Sequence, residues 1–233
     1  MAKITFHPVS DIHELLCNKP NPASSYKADW FKKIPSFYNT DSLYGPDHGD
    51  NLTLKHCVPF RDAMSAGYIQ ETWQDISFDP QEDGRVNYRF PTSPEIMSHR
   101  NVNSLPMGEE FYQIEFVIRP PWAPELPSGW SVLITQPFNR PDLPFFFPSG
   151  IIDADVFGRM TDQTSIPFYL RKDAPRLIPS GTPLYQIIPF KRESWESNFA
   201  KYDLKSQAKL LHAVRKVFWG GYKELFWQKK SYK

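Results

Sequence analysis

Cysteine is scarce in this chain of 233 residues, which contains only Cys17 and Cys57. Two thiols so far apart do not form a disulfide scaffold, and they predict free, buried thiols in a reducing compartment. The sequence also lacks a Cys-x-x-Cys pair, a Gly-rich phosphate loop and a nucleophile elbow. A complete catalytic set of a common type is therefore absent.

Long apolar runs are also absent. No segment approaches the roughly 20 apolar residues of a membrane span, and the first residues, Met-Ala-Lys-Ile-Thr-Phe-His, do not resemble a signal peptide. The net charge of +1 gives no overall attraction to nucleic acid or to a membrane surface. These features predict a cytoplasmic protein without a membrane partner.

Proline and aromatic residues are abundant, at 23 prolines and 15% aromatics. Proline is excluded from helix interiors and central strands, so this density predicts short strands joined by rigid loops. Short helices are expected at 28–34 and 59–66. Strands are expected at 3–7, 52–56, 68–78, 85–90, 110–118, 129–135, 151–157, 166–170 and 184–188. Closely spaced strands without helices between them predict a mainly β fold, a sandwich of the jelly-roll or β-clip type.

The end of the chain differs from the rest. Residues 201–233 contain nine Lys and Arg against two acidic residues, a net charge of +7, which leaves −6 for residues 1–200. Leucines, valines and aromatics recur there at helical spacing and predict a basic amphipathic helix, interrupted at Gly220-Gly221. We therefore expect a β-sandwich domain over 1–200 and a helical tail over 201–233. The tail either packs on the sandwich or docks to a partner.

Two carboxylates lie close together between Gly150 and Gly158. Asp153 and Asp155 are two residues apart, so on an extended segment both side chains lie on one face. Such a pair can bind a metal ion or hold a water molecule as general base. Aspartate beside glycine is also ordinary turn chemistry. The spacing leaves both interpretations open.

The segment Gly-Ile-Ile-Asp-Ala-Asp-Val-Phe-Gly resembles the third motif of the trimeric dUTPases and dCTP deaminases, and Ile178–Ile188 resembles their fourth. The resemblance implies a β-clip-like core, a water-activating role for Asp153, and a position in a nucleotide pocket for Gln186. Asp155, as the second carboxylate of the pair, is a candidate ligand-binding residue. The Pro-Arg-Ser-Ser phosphate motif and the Gly-rich tail of that family are absent.

Three longer segments, 55–68, 135–145 and 178–195, resemble a family of uncharacterised proteins of marine tailed phages and some bacteria. This resemblance implies a phage-related protein, located in the host cytoplasm or the virion. Together with the missing catalytic set, it predicts a non-enzymatic structural or interaction protein. We expect it to act without a cofactor and to self-associate or bind a protein partner through residues 201–233.

Alternative functions rest on fewer residues. A dUTPase-like protein would bind or hydrolyse a nucleotide. Arg140 and Arg119 are candidate ligands for an anion, although Arg140 can instead pair with Asp142. His48-Gly-Asp50, with His99 as a third ligand, fits part of the facial triad of an iron/2-oxoglutarate oxygenase. The phenylalanines 138 and 145–147 predict either core packing or the lining of a pocket.

Overall fold

The structure is a computed structural model that describes residues 2–37, 53–91, 97–100, 104–156, 165–217 and 221–233. The protein is mainly β, with several antiparallel sheets and a few short helices. The described strands are β1 Thr5–Pro8, β2 Asn21–Pro22, β3 Tyr68–Glu71, β4 Ile76–Pro80, β5 Val86–Arg89, β6 Met97–Arg100, β7 Glu115–Ile118, β8 Trp122–Glu125, β9 Trp130–Thr135, β10 Phe145–Phe146, β11 Gly150–Ile152, β12 Ile166–Leu170, β13 Leu177–Ile178 and β14 Pro183–Lys191. The helices are α1 Asp11–Leu16, α2 Asp29–Lys33, α3 Val58–Met64, α4 Leu204–Arg215 and α5 Gly221–Leu225; Ala23–Ser25 and Leu54–His56 form 3₁₀ turns.

A five-stranded antiparallel sheet, in the order β11-β9-β14-β3-β2, carries the candidate site residues. Its long strand β14 pairs with β3 only as far as Ile187, and with β9 as far as Lys191. Pro189 therefore lies where β14 has a single neighbour, a position at which a missing amide hydrogen need not break a ladder. The strands predicted at 151–157 and 184–188 belong to this sheet, but β9 separates them.

The main core lies between this sheet and a four-stranded sheet in the order β10-β12-β7-β6. Phe168 on β12 stacks between Phe116 and Phe147, with ring centroids 5.3 and 5.2 Å away. Phe147 in turn contacts Tyr185 of the first sheet at 5.7 Å. This chain of aromatic contacts joins the two sheets and gives the sandwich-like arrangement that the sequence predicts.

Two smaller sheets complete the fold: β13-β4-β5 and the β1-β8 ribbon. The strand predicted at 68–78 is two strands, β3 and β4. Strand β4 forms a hairpin with β5, because Phe78 pairs with Tyr88 across a turn that contains Gly84 at φ 84°. The strand predicted at 166–170 is confirmed without change.

Some sequence-based boundaries are wrong. The described part of the strand predicted at 52–56 is a 3₁₀ turn, because the Thr53 hydroxyl accepts a bond from the Lys55 amide and caps it. The strand predicted at 110–118 begins only at Glu115. The strand predicted at 151–157 ends at Ile152, where the Val156 amide bonds the Asp153 carbonyl and closes a turn. Both cysteines are free as expected, but only Cys17 is buried and Cys57 is exposed.

The end of the chain contains two helices, α4 and α5. Helix α4 ends at Arg215, before the predicted interruption, and Gly221 is the first residue of α5, while Gly220 lies outside the described residues. Helix α4 does not pack on the sandwich, since every side chain from residue 204 to residue 213 is exposed. The chain end returns to the body. There, the Trp227 indole donates to Asp62 at 2.8 Å, and Lys230 pairs with the same carboxylate at 2.5 Å.

Candidate functional site

Asp153 and Asp155 lie at one end of the five-stranded sheet, where Arg192 follows β14. Arg192 pairs with both Asp155 oxygens and approaches Asp153 Oδ1 at 3.1 Å. The Ser131 hydroxyl donates to the same Asp153 oxygen at 2.7 Å, and the Gly129 amide donates to Asp155 at 2.7 Å. Because these groups come from β9, β14 and the turn after β11, the cluster ties three strand ends together.

The two carboxylates differ in their access to solvent. The Asp155 side chain is 5% exposed, and the bonds from Arg192 and from the Gly129 amide lower its pKa to about 2. A carboxyl group held so firmly as an anion is a poor proton acceptor near neutral pH. The Asp153 side chain is 61% exposed on an open surface. The arrangement can anchor a turn, and it leaves one accessible carboxylate beside a guanidinium. The water-activating role of Asp153 stays a prediction.

Gln186 is fully buried in the middle of β14. Its Oε1 accepts a bond from the Phe138 amide at 2.8 Å. Its Nε2 donates to the carbonyls of Ala63 and Ala66 at 3.0 and 2.6 Å. One side chain thus joins the end of α3 to the loop at 136–143. Oxygen and nitrogen are both engaged, so a ligand would have to displace one of these bonds.

Arg140 and Arg119 are not brought to one cavity. Arg140 pairs with Asp142 through two bonds of 2.8 Å, as the ion-pair alternative anticipated. The Trp30 indole donates to the same carboxylate at 3.1 Å. Arg119 is exposed directly after β7, and it lines neither of the cavities that Arg140 lines. The anion site that combines the two arginines therefore has no geometric support.

An aromatic groove of about 660 Å³ lies beside Arg140. We define it by Trp30, Phe60, Phe138, Arg140, Leu143 and Phe146, which are among its lining residues. Among the four phenylalanines that the sequence marks as possible pocket residues, Phe138 and Phe146 are half-buried and line the groove. Phe147 is instead fully buried in the core. The groove forms because α2 and α3 lie opposite the loop at 136–143. The alternation of apolar and polar residues along the sequence does not predict such a contact, so sequence reasoning missed this groove.

A second unpredicted feature is an exposed stretch that we call the C-terminal arm, residues 193–213. Every residue in it is exposed. Its large hydrophobic side chains are Trp195, Phe199, Tyr202, Leu204, Leu210 and Leu211, of which Trp195 and Phe199 are 88% and 93% exposed. Monomeric proteins rarely leave so much continuous apolar surface in water.

The described residues offer no group of three or more His, Cys, Asp or Glu side chains that could hold a metal ion. His48 and Asp50, the first two residues of the possible iron site, lie outside the described residues. His99 lies on β6, with its ring 6.4 Å from that of Tyr88. Within the described part of the chain, no helix has the length and apolarity to cross a membrane.

Neither the protein-family models nor the curated proteins contain a match to this chain. The function is therefore argued from the geometry.

Proposed function

We propose that this is a non-enzymatic, phage-type structural or interaction protein that self-associates through its C-terminal segment. The observation that carries the proposal is the exposure of six large hydrophobic side chains within residues 193–213. Burial of apolar area is the main source of association free energy, and aromatic residues contribute most of it per residue. An arm with three exposed aromatics is therefore suited to an interface.

The charge distribution supports contact between copies of the chain. Residues 201–233 carry a net charge of +7 and residues 1–200 carry −6. Opposite net charges on the two parts favour encounter of the tail of one copy with the body of another, and they disfavour contact between two tails. The resemblance of three segments to phage proteins supports the same type of role.

The nucleotide-directed alternative lacks a supporting observation. A general base needs a free carboxylate in a cleft that excludes water, and a pocket glutamine needs an uncommitted amide. Asp153 instead lies on open surface beside Arg192, and both ends of the Gln186 amide bond the chain itself. A nucleotide hydrolase is therefore the function with less support.

The proposal is tested by measuring molar mass against concentration by light scattering and sedimentation velocity. Leu204 and Leu211 lie seven residues apart on one face of α4, and both are more than half exposed. The double variant Leu204→Gln, Leu211→Gln keeps good helix formers, so it should remain folded and yet associate more weakly. The matched control is His212→Gln on another face of α4, which should associate as the wild type does.

Internal substitutions are preferable to truncation at residue 200. Truncation would remove Trp227 and Lys230, which bond Asp62 on the body, so lost stability could be mistaken for lost association. A wild-type protein that stays monomeric up to its solubility limit would contradict the proposal. So would a double variant that associates as strongly as the His212→Gln control.

A further inference from the structure

The aromatic groove and the C-terminal arm carry an inference that rests on the proposed function. The groove presents half-buried rings of Trp30, Phe60 and Phe138 around an open volume of about 660 Å³. This volume is comparable to pockets that hold a drug-sized molecule, so it can admit a tryptophan side chain with adjacent backbone. The arm offers such a side chain, because Trp195 is 88% exposed on a segment without regular secondary structure.

The arm and the groove start from opposite ends of the same sheet. At one end, Arg192 donates its amide to Gly129, just before β9. At the other end, Thr135 finishes β9 and leads into the groove loop. The five residue steps between Trp130 and Thr135 span about 17 Å.

This separation excludes Trp195 from the groove of its own chain. The three residues from Arg192 to Trp195 cover at most about 11 Å when fully extended. At this point β14 also runs away from the groove, because the strand pairs with Thr135 at Gln186 and reaches Trp130 only at Lys191. The chain would have to reverse and then travel the length of β9. A second copy has no such restriction.

The charges near the groove agree with this occupant. Lys27 and Lys32 line a cavity that shares Arg140 with the groove. Lys32 and Arg140 also pair with Asp29 and Asp142, so two of these three positive charges are partly neutralised within the chain. Glu193 and Glu196 lie on either side of the arm tryptophan, and Glu193 also pairs with Lys191. Acidic side chains that enter beside a lysine-bearing rim add complementarity, which steers encounter and fixes the direction of the inserted segment.

We propose that Trp195 of one copy inserts into the aromatic groove of a second copy, with Glu193 and Glu196 against its basic rim. The contact is heterologous, because the arm of each chain and the groove of each chain are different surfaces. A ring or a chain of copies can therefore form, and each copy gives one arm and receives another.

The first test compares the self-association of Trp195→Ser and Phe138→Ala with that of the wild type by sedimentation velocity. A buried aromatic anchor at an interface is worth at least about 2 kcal/mol, so each variant should associate about 30-fold more weakly. The double variant should lose much less than the product of the two effects, because both changes remove one contact. Thermal melting of each variant checks that it is folded.

The second test traps the contact between copies. Two proteins that lack the exposed thiol, each with Cys57→Ser, carry either Ser194→Cys on the arm or Pro141→Cys at the groove. After mixing and mild oxidation, a disulfide should join one protein to the other. Ser231→Cys, an exposed serine outside the arm, replaces Ser194→Cys as the matched control and should join to Pro141→Cys far less.

The outcomes separate this inference from the proposed function. If Leu204→Gln, Leu211→Gln weakens association but Trp195→Ser does not, the tail mediates assembly and the groove contact is refuted. Additive losses for Trp195→Ser and Phe138→Ala would also refute it, as would equal cross-linking from residues 194 and 231. A wild-type protein that is always monomeric would overturn both proposals.

Discussion

Gln186 allows a direct test of the hydrogen bonds that hold the groove loop at 136–143 against the end of α3. Replacement by methionine keeps the length of the side chain and removes its hydrogen bonds. The Phe138 amide, at 2.8 Å from Oε1, would lose its acceptor. The Ala66 carbonyl, at 2.6 Å from Nε2, would lose its donor, whereas the Ala63 carbonyl would keep the Ala66 amide at 3.3 Å. Two part-buried backbone groups are thus left without these partners.

The expected loss follows from those two groups. Each buried polar group that loses its partner costs about 1–3 kcal/mol, so Gln186→Met should lower the free energy of unfolding by about 2–6 kcal/mol. The extra apolar character of methionine offsets little of this, because its new surface faces the same polar backbone groups. Gln186→Glu should be no better, since a carboxylate would face two carbonyl oxygens in a buried site.

Gln70 supplies the matched control. It is also fully buried, on the neighbouring strand β3, and its Nε2 donates to the carbonyls of Asn18 and Glu71. Its Oε1, however, is buried and finds no partner among the described residues. Gln70→Met removes this costly oxygen as well as the two bonds, so its loss should be smaller by about 1–3 kcal/mol. Urea unfolding with linear extrapolation measures both variants. Equal losses would refute the reasoning.

Three further changes test other contacts. Gly67→Ala should lower the stability of the protein far more than Gly84→Ala. Both glycines have a positive φ, which costs an alanine about 1–2 kcal/mol of strain. Only at Gly67 would the new Cβ lie 2.0 Å from a strand carbonyl oxygen. Asp155 has a lowered pKa, so its contribution to stability is present above its ordinary pKa and is lost as the pH falls towards about 2. Urea midpoints measured across that range should therefore fall less steeply for Asp155→Asn, and also for Arg192→Ala, than for the wild type. Asp62→Ala should release residues 227–233, which trypsin should then remove faster; unchanged cleavage would contradict the anchoring role of this aspartate.

The sequence predicts local structure well where a single pattern decides it. Ile166–Leu170 is a short run of apolar and aromatic residues, and it is a strand with those bounds. The hairpin at 79–84 follows from its Asp, Pro and Gly content. The apolar periodicity from residue 204 onward predicts the helix α4. In each case, neighbours along the chain supply the whole signal.

Pairing between distant segments could not be predicted in the same way. Strands β11 and β14 lie in one sheet with β9 between them, and no pattern within either segment indicates this order. Arg192 follows Asp155 by 37 residues, so nothing local marks it as the partner of that carboxylate. Helical periodicity over 204–215 predicts the helix α4 correctly. It describes only an apolar face, and whether that face meets the same chain or another one depends on the tertiary path.

Asp153, Asp155, Gln186 and Arg140, which the sequence marks as candidates for chemistry, each have a partner from their own chain. Arg192 holds Asp153 and Asp155, backbone groups engage Gln186, and Asp142 pairs with Arg140. Chemistry needs polar groups with spare bonding capacity in a sheltered cavity, and these groups have little. Association needs apolar surface that water covers poorly, and the arm and the groove both have it. The residues that most affect function should therefore be aromatic side chains at the surface, and variants of the arm are the first to make.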